Sequence, residues 1–319
     1  MFNLFSVDIQ MLYAPYFYCW GFDNSSYYIK NFDDVLNKAK HNCITLAFAI
    51  SGTDGKIWAT LEQIKDRIKI FIQNGGSVIL SFGGANGPYL WDNLEEEAMY
   101  QEMVRFLSYT GIAHIDYDIE GSALVISNSL SKLINVSKKL QDTLNTKIQL
   151  TLPCYPPGPW DDGGLTSVTK DLLHLFYAGG VKLCYVNLML MDYYAHITNH
   201  VIFSRQIIET VCNQLCLIYS VADKPKIYSQ MGITPMIGVQ DDNTTFSTDD
   251  LEAVLSYAKS VGIGFISCWA LQRDQVGSGS LAIYTNVNKT NLEFHNIFMK
   301  YHTEGIDERV YFEYEMYLR

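Results

Sequence analysis

The chain has 319 residues, 48% of them hydrophobic, 18% charged and 13% aromatic, with a formal net charge of −11. This is a globular composition with material for one large core or two smaller ones. The acidic balance argues against a nucleic-acid binder and against a basic membrane-surface patch, so neither nucleic acid nor membrane is expected as a partner. The seven cysteines sit mostly inside apolar, strand-like runs, where a thiol packs as a small hydrophobe. No C-x-x-C pair occurs and Cys212/Cys216 have only helical spacing, so neither a zinc site nor a disulfide framework is expected. The opening MFNLFSVDIQMLYAPYF has no basic n-region and no small-residue cleavage site, so it does not read as a signal peptide. The expectation is a protein that stays in the cytoplasm or leaves by a non-standard route. No apolar run approaches the length of a membrane span.

In chain order, apolar runs alternate with amphipathic stretches. Tyr13–Tyr18 is the first strand, and Ser25–Asn42 has helical spacing at Ile29, Phe32, Leu36 and Ala39. Cys43–Ile50 is a continuous apolar run, as buried parallel strands are. Leu61–Asn74 is a helix stopped by Gly75-Gly76. Ser77–Ser81 is the third strand and Glu95–Tyr109 the third helix, with acids in its first turn as the helix dipole favours. The fourth strand lies in Gly111–Gly121 and is followed by a helix over Ser127–Leu144. Lys147–Leu152, Leu183–Asp192, a segment within Lys226–Gly238, and Gly264–Ala270 supply strands five to eight. Helices over Thr166–Tyr177, Ile202–Tyr219, Ser247–Val261 and Asn291–Tyr301 follow them. Strands alternating with helices of this length imply parallel strands with crossovers, and eight such units imply a single α/β (β/α)8 TIM barrel. An open doubly wound sheet would want a glycine-rich phosphate loop after the first strand, and YAPYFYCWGFD is not one. The barrel is expected over 1–303, with a charged tail over 304–319.

The fourth strand, GIAHIDYDIEG, holds the most informative pattern. Side chains alternate along a strand, so Asp116, Asp118 and Glu120 share one face. Ile115, Tyr117 and Ile119 share the other. Three carboxylates in a row repel one another and are costly to bury, so the face is either wet or functional. A solvated face and a Mg²⁺ or Ca²⁺ site are the competing readings. On a central barrel strand only the mouth is wet, and metal ligands would normally gather from several strands. Active sites of such barrels lie at the C-terminal strand ends. Those ends also carry Ser81-Phe-Gly-Gly84, Met191-Asp192-Tyr193, Trp269, and Tyr16, Tyr18 and Trp20. Acids and aromatics around one mouth suit an uncharged polyhydroxyl ligand. His114 reads as a satisfied core histidine.

D-x-D-x-E on strand four, S-x-G-G on strand three, Met with Asp-Tyr on strand six and Trp closing strand eight together resemble the family-18 glycoside hydrolases, the chitinase family. GITPMIGVQDD and CWALQRDQ resemble its compact bacterial members, and the likeness runs from about Tyr13 to Gln275. It implies an endo-acting, retaining chitinase that hydrolyses β-1,4-linked N-acetylglucosamine through the substrate's own 2-acetamido group, a family exception to the two-carboxylate scheme. It also implies Glu120 as general acid, Asp118 orienting the acetamide, and Asp116 sharing a proton or hydrogen bond with Asp118. Trp269 would floor the sugar, with Asp192, Tyr193, Met191, Tyr16 and Gln149 as further substrate contacts. Ser81, Gly83 and Gly84 would let strand three pack against strand four. No metal or cofactor is implied. The implied ligands are chitin or N-acetylglucosamine oligosaccharides, and a monomer is expected.

Two departures stand out. Ala113 and His114 occupy positions where the family usually has Asp-Gly. Met191 stands where many members have a Tyr that donates to the acetamide carbonyl, and a thioether cannot donate. Tyr193, Tyr228 or Gln149 would then supply the donor. Only VQDDNTTF separates strand seven from its helix, so no α+β insertion domain is expected and the groove should be open. An endo-β-N-acetylglucosaminidase acting on N-glycan cores and a non-catalytic chitinase-like lectin are the alternatives.

Overall fold

The computed structural model describes residues 11–124, 128–159, 161–194 and 199–302. Its first extended segment has two halves, β1 (Leu12–Tyr13) and β2 (Tyr16–Tyr18). The strands β3 (Cys43–Ala49), β4 (Ser77–Gly83), β5 (His114–Asp118), β6 (Lys147–Pro153), β7 (Leu183–Leu190), β8 (Met231–Pro235) and β11 (Phe265–Ile266) complete one parallel sheet in the order β1-β11-β8-β7-β6-β5-β4-β3-β2. Because β1 and β2 are halves of one segment, that order closes on itself. Bonds from Ala14 N to Ile266 O (3.1 Å) and from Thr45 N to Pro15 O (2.9 Å) tie the segment to both neighbours. Pro15 has no N–H to give to a ladder, which is why the segment is broken there. The result is a single (β/α)8 TIM-like barrel. The only structure between β8 and the next helix is a two-stranded hairpin, β9 (Gly238–Val239) with β10 (Thr245–Phe246).

The outer layer holds α1 (Phe32–Asn37), α2 (Ala59–Gln73), α3 (Leu90–Asn93), α4 (Glu96–Thr110), α5 (Asn128–Leu144), α6 (Ser167–Ala178), α7 (His200–Tyr219), α8 (Lys224–Ser229), α9 (Thr248–Val261) and α10 (Glu293–Tyr301). The first predicted helix is overturned in most of its length. Asn24, Ser25 and Ser26 form turns, since short polar side chains bond locally to the backbone, and the helix starts only after Asn31, whose side chain caps Asp34 N at 3.0 Å. The third predicted helix is α4, preceded by a short helix, α3, that the sequence reading did not give, and β8 is preceded by α8, which opens with Pro225 in its first turn. The expectation that no segment is long and apolar enough for a membrane span also needs correction: α7 meets that test by length and composition. Its apolarity has a second outlet, because Ile207, Ile208, Val211, Leu215 and Ile218 are buried in the core. The expected tail, 304–319, lies outside the described residues.

The main core sits between the sheet and the helices. Tyr117 shows how β5 splits its two faces: its ring lies 6.2 Å from Phe176 of α6, and its hydroxyl accepts from Ser137 of α5 at 2.9 Å. Ile115 and Ile119 are buried in the same layer. The alternate residues of β5 therefore face into the barrel. All seven cysteines are free thiols.

Candidate active site

Asp116 is fully buried inside the barrel, level with Ser81 of β4 and Gln149 of β6. Four side chains reach its carboxylate. Ser81 Oγ (2.6 Å) and the Tyr16 hydroxyl (2.9 Å) donate to Oδ2, while Thr151 Oγ1 (2.7 Å) and Gln149 Nε2 (3.2 Å) donate to Oδ1. Burial pushes the Asp116 carboxyl up from its ordinary range, and these donors pull it back. Asp118, one pleat nearer the mouth, is also buried, but its Oδ1 has no hydrogen-bond partner among the described residues. Burial, Glu120 and Asp116 together hold its pKa well above the carboxylate range. The four donors around Asp116 favour its charged form, whereas at Asp118 only the Tyr16 hydroxyl acts in that sense. Glu120 is half-buried just beyond the strand, and burial and the charge of Asp192 raise its pKa.

The third strand fits against this one through glycine. Gly83 has φ +117°, and a Cβ there would stand 2.0 Å from the Asp118 carbonyl oxygen. Gly84 has φ +84° and donates its N–H to that oxygen at 3.0 Å; a Cβ on it would meet the Phe48 ring at 2.7 Å. No other residue type fits at Gly83 without moving β4 away from β5.

Trp269 is half-buried at the end of the eighth barrel strand. Its ring centroid lies 5.0 Å from Tyr18, 5.5 Å from Tyr16 and 5.6 Å from Phe48, the last nearly parallel at 18°. Trp20, 43% exposed, stacks on Tyr18 at 4.7 Å and so extends this aromatic wall into solvent. The CWALQRDQ motif now has a physical meaning. Gln272 brackets Tyr18, accepting from its N–H at 3.0 Å and donating to its carbonyl at 3.1 Å. Arg273 is completely buried and donates to the carbonyls of Trp269 (3.0 Å) and Val239 (2.7 Å). Among the described residues it forms no ion pair with Asp192.

Asp192 is held by the β9–β10 hairpin. Its N–H donates to Gln240 Oε1 at 3.0 Å, and its Oδ1 accepts from Asp241 N at 2.8 Å. Burial and the charge of Asp241 push it up to about 6. Its left-handed backbone (φ +49°) turns the chain, and this separates it from its neighbour. Tyr193 is buried in the main core beside Ser204 of α7 and Cys154, away from the expected sugar contact. Tyr194 is the exposed residue, at 76%, and senses the charge of Asp192. Met191 is half-buried just past β7.

Three further expected contacts lie deep in the molecule. Gln149 and Tyr16 are buried and both donate to Asp116. Tyr228 lies in the helix layer beside Cys212. His114 is a core histidine, 3.2 Å from Cys184 Sγ, and burial lowers its pKa to about 3. Sequence reasoning missed Phe48, Thr151 and Gln240. Phe48 lies near the C-terminal end of the predicted run Cys43–Ile50, so its position was an available signal. Thr151 and Gln240 act through partners distant in sequence, and no local pattern marks them.

No family model matches the chain. It is 28% identical over 298 residues to a probable bifunctional chitinase/lysozyme of Escherichia coli, covering 85% of this chain and 32% of that protein. It is 28% identical over 287 residues to endochitinase 11 of Metarhizium anisopliae, covering 82% of this chain and 52% of that protein. The chain thus spans about a third and about half of the lengths of these curated relatives. A catalytic-site mutant of a thermostable chitinase domain from Pyrococcus furiosus, crystallised with chito-oligosaccharides, aligns at TM-score 0.80 and 27% identity over 93% of this chain and 97% of that one. Together with the barrel, the carboxylate strand and the Trp269 wall, these similarities to chitinases support the reading of the chain as a family-18 glycoside hydrolase.

Proposed function

We propose that the chain is an endo-acting, retaining chitinase that cleaves β-1,4-linked N-acetylglucosamine with Glu120 as general acid. The observation that carries this reading is the grading of the carboxylates along β5: one fully bonded, one buried with an open acceptor, and one at the rim with a raised pKa. The relatives' own names, all chitinases, favour chitin over N-glycan cores and an enzyme over a lectin.

Hydrolysis needs a proton on the leaving oxygen and an internal nucleophile at C1. Glu120, whose pKa is raised by burial and by the charge of Asp192, supplies the proton. The acetamide oxygen attacks C1, and Asp118 accepts the acetamide N–H through its unpartnered oxygen. As positive charge develops on the closing ring, the Asp118 proton moves toward Asp116 and leaves an anion against it. Glu120, now ionised, takes a proton from the water that opens the ring, which regenerates the acid and retains configuration. Trp269, walled by Tyr18 and Phe48, offers a flat apolar floor to the reacting sugar. The short hairpin after β8 builds no wall over the groove, which supports internal cleavage. The domain assignment, a barrel to residue 303 followed by a separate tail, and a monomeric state belong to the same proposal.

Purified protein should release fluorophore from a fluorogenic chitobioside, and Glu120→Gln should not. Wild-type protein that binds chito-oligosaccharides without turning them over would instead support the lectin reading. Release of N-glycans from a glycoprotein, seen as a gel shift, with no action on chitin oligomers would support the glucosaminidase.

A further inference from the structure

The hydrogen bonds at Asp116 do not stop at Thr151. Thr151 Oγ1 accepts from Asn187 Nδ2 of β7 at 2.9 Å. Asn187 is completely buried, and its amide is in turn gripped by Thr234 of β8: Nδ2 lies 2.8 Å from Thr234 Oγ1, which donates to Asn187 Oδ1 at 3.0 Å. Thr234 is 1% exposed and Thr151 1% exposed, so no solvent competes for these contacts. A string of polar groups therefore crosses the barrel interior from the eighth strand's neighbour to the carboxylate strand, Thr234–Asn187–Thr151–Asp116. Nothing in the packing of an apolar barrel calls for it, since a valine at either threonine would fill the same space.

The string has a direction. An amide nitrogen can only donate. With Asn187 donating into it, and the Tyr16 hydroxyl, shared with Asp116 Oδ2, also directed at it from 3.0 Å, the Thr151 oxygen has its acceptor side occupied, and its own hydrogen is left to point at Asp116 Oδ1. A proton placed on that oxygen would meet the Thr151 hydrogen and the Gln149 N–H head-on. We propose that Thr151, oriented by Asn187 and Thr234, is a positioning residue that keeps Asp116 in the acceptor-only, ionised form and so leaves the shared proton on Asp118 before substrate binds. The inference rests on the reading of Asp118 as the acetamide partner, and it extends that reading to strands with no residue at the mouth. The other titratable groups facing Asp116 are Tyr16 from β2, Asp118 from its own strand, and Cys184 from β7; His114 and Lys147 act on Cys184 in turn.

The test compares Thr151→Val, which keeps the shape and removes the donor, with Thr151→Ser, which keeps the donor. Thr151→Val should lower kcat on chitotetraose about 10- to 100-fold, the scale of a lost hydrogen bond to a charged group, and leave KM within about twofold. Its pH–rate profile should shift, because the Asp116–Asp118 pair titrates differently once one donor is gone. Thr151→Ser should recover most of the rate and the wild-type profile. Thr234→Val, one link further out, should show a smaller shift in the same direction, and it serves if Thr151→Val does not fold.

Carboxyl ¹³C NMR of aspartate-labelled protein gives a readout independent of turnover. Asp116 should stay ionised to lower pH than Asp118 in the wild type, and the gap should narrow in Thr151→Val. An inactive wild type would sink the chitinase reading and leave this titration to decide the inference alone. Unchanged kcat and profile in Thr151→Val, an unchanged carboxyl titration, a rate loss with no pH shift, or a Thr151→Ser as impaired as Thr151→Val would each overturn it.

Discussion

At the scale of single residues, the site separates three carboxyl groups by how they are bonded. Asp116 has four donors, Asp118 keeps an open oxygen, and Glu120 stands partly in solvent. Glu120→Gln should reduce kcat about 10²- to 10⁴-fold, the range for loss of a general acid, while titration calorimetry with chitotetraose shows binding retained. The pH dependence has a definite sign. Asp192, with a pKa of about 6, carries a charge above that pH and raises the pKa of Glu120. Asp192→Asn removes that cause, so the alkaline limb of the rate profile should move to lower pH. Below about pH 6, where Asp192 is already neutral, wild type and variant should converge. An alkaline limb that stays in place would show that the Asp192 charge does not reach the acid.

Elements carry the next level of the account. β4 lies close to β5 only because Gly83 has no side chain, and Gly84 then bonds to the same Asp118 carbonyl. Gly83→Ala should cost at least about 2 kcal/mol in chemical denaturation, from the clash and the positive φ together, and should lower activity with it. The turn after the eighth strand is the other organising element. Gln272 and Arg273 pin the backbones of Tyr18 and Trp269, and Asp274 caps α10 by accepting from His295 N at 2.7 Å. One short motif thus fixes the aromatic wall and the last helix.

This is also the scale at which sequence reading reached its limit. Period-two alternation made Asp116, Asp118 and Glu120 legible as one face, and the strand-end rule placed Trp269 and Ser81. The residues whose surroundings sequence did not reveal share a cause. Tyr193 follows a left-handed Asp192 that reverses its direction, and Gln149 and Tyr16 are buried on the Asp116 carboxylate. Ser25–Asn42 had helical spacing, but its polar residues satisfied the backbone as turns. Depth, chain reversal and contacts between distant strands are set by closure of the barrel, which no local window contains.

For the whole molecule, the described ends of the barrel meet in a buried cluster of aromatic rings. His41 packs 5.0 Å from Tyr13 and 5.7 Å from His295, and His295 Nδ1 lies 3.2 Å from the Tyr13 hydroxyl. The cluster joins β1, the loop before β3, and α10. Burial pushes His41 down to about 3 and His295 to about 4, below the usual value of about 6.5. Because the folded state holds both rings neutral, their stabilising contribution is full above pH of about 6.5 and is lost as pH falls toward the folded values. Buried Asp274, raised to about 6, acts in the opposite sense, so the histidine effect must be isolated by difference. Urea unfolding at a series of pH values should show wild type losing stability relative to His41→Gln, by a few kcal/mol in total, as pH drops from about 6.5 to 4. Parallel curves would mean that the cluster does not latch β1 to α10.

The central claim is that the substrate's own acetamide attacks C1, with Glu120 supplying the proton and Asp118 holding the acetamide. It is tested most directly by ¹H NMR of chitotetraose during the first minutes of hydrolysis, before mutarotation. The account predicts that the new reducing ends appear as the β-anomer and that Glu120→Gln gives no new ends. Initial release of the α-anomer would contradict it.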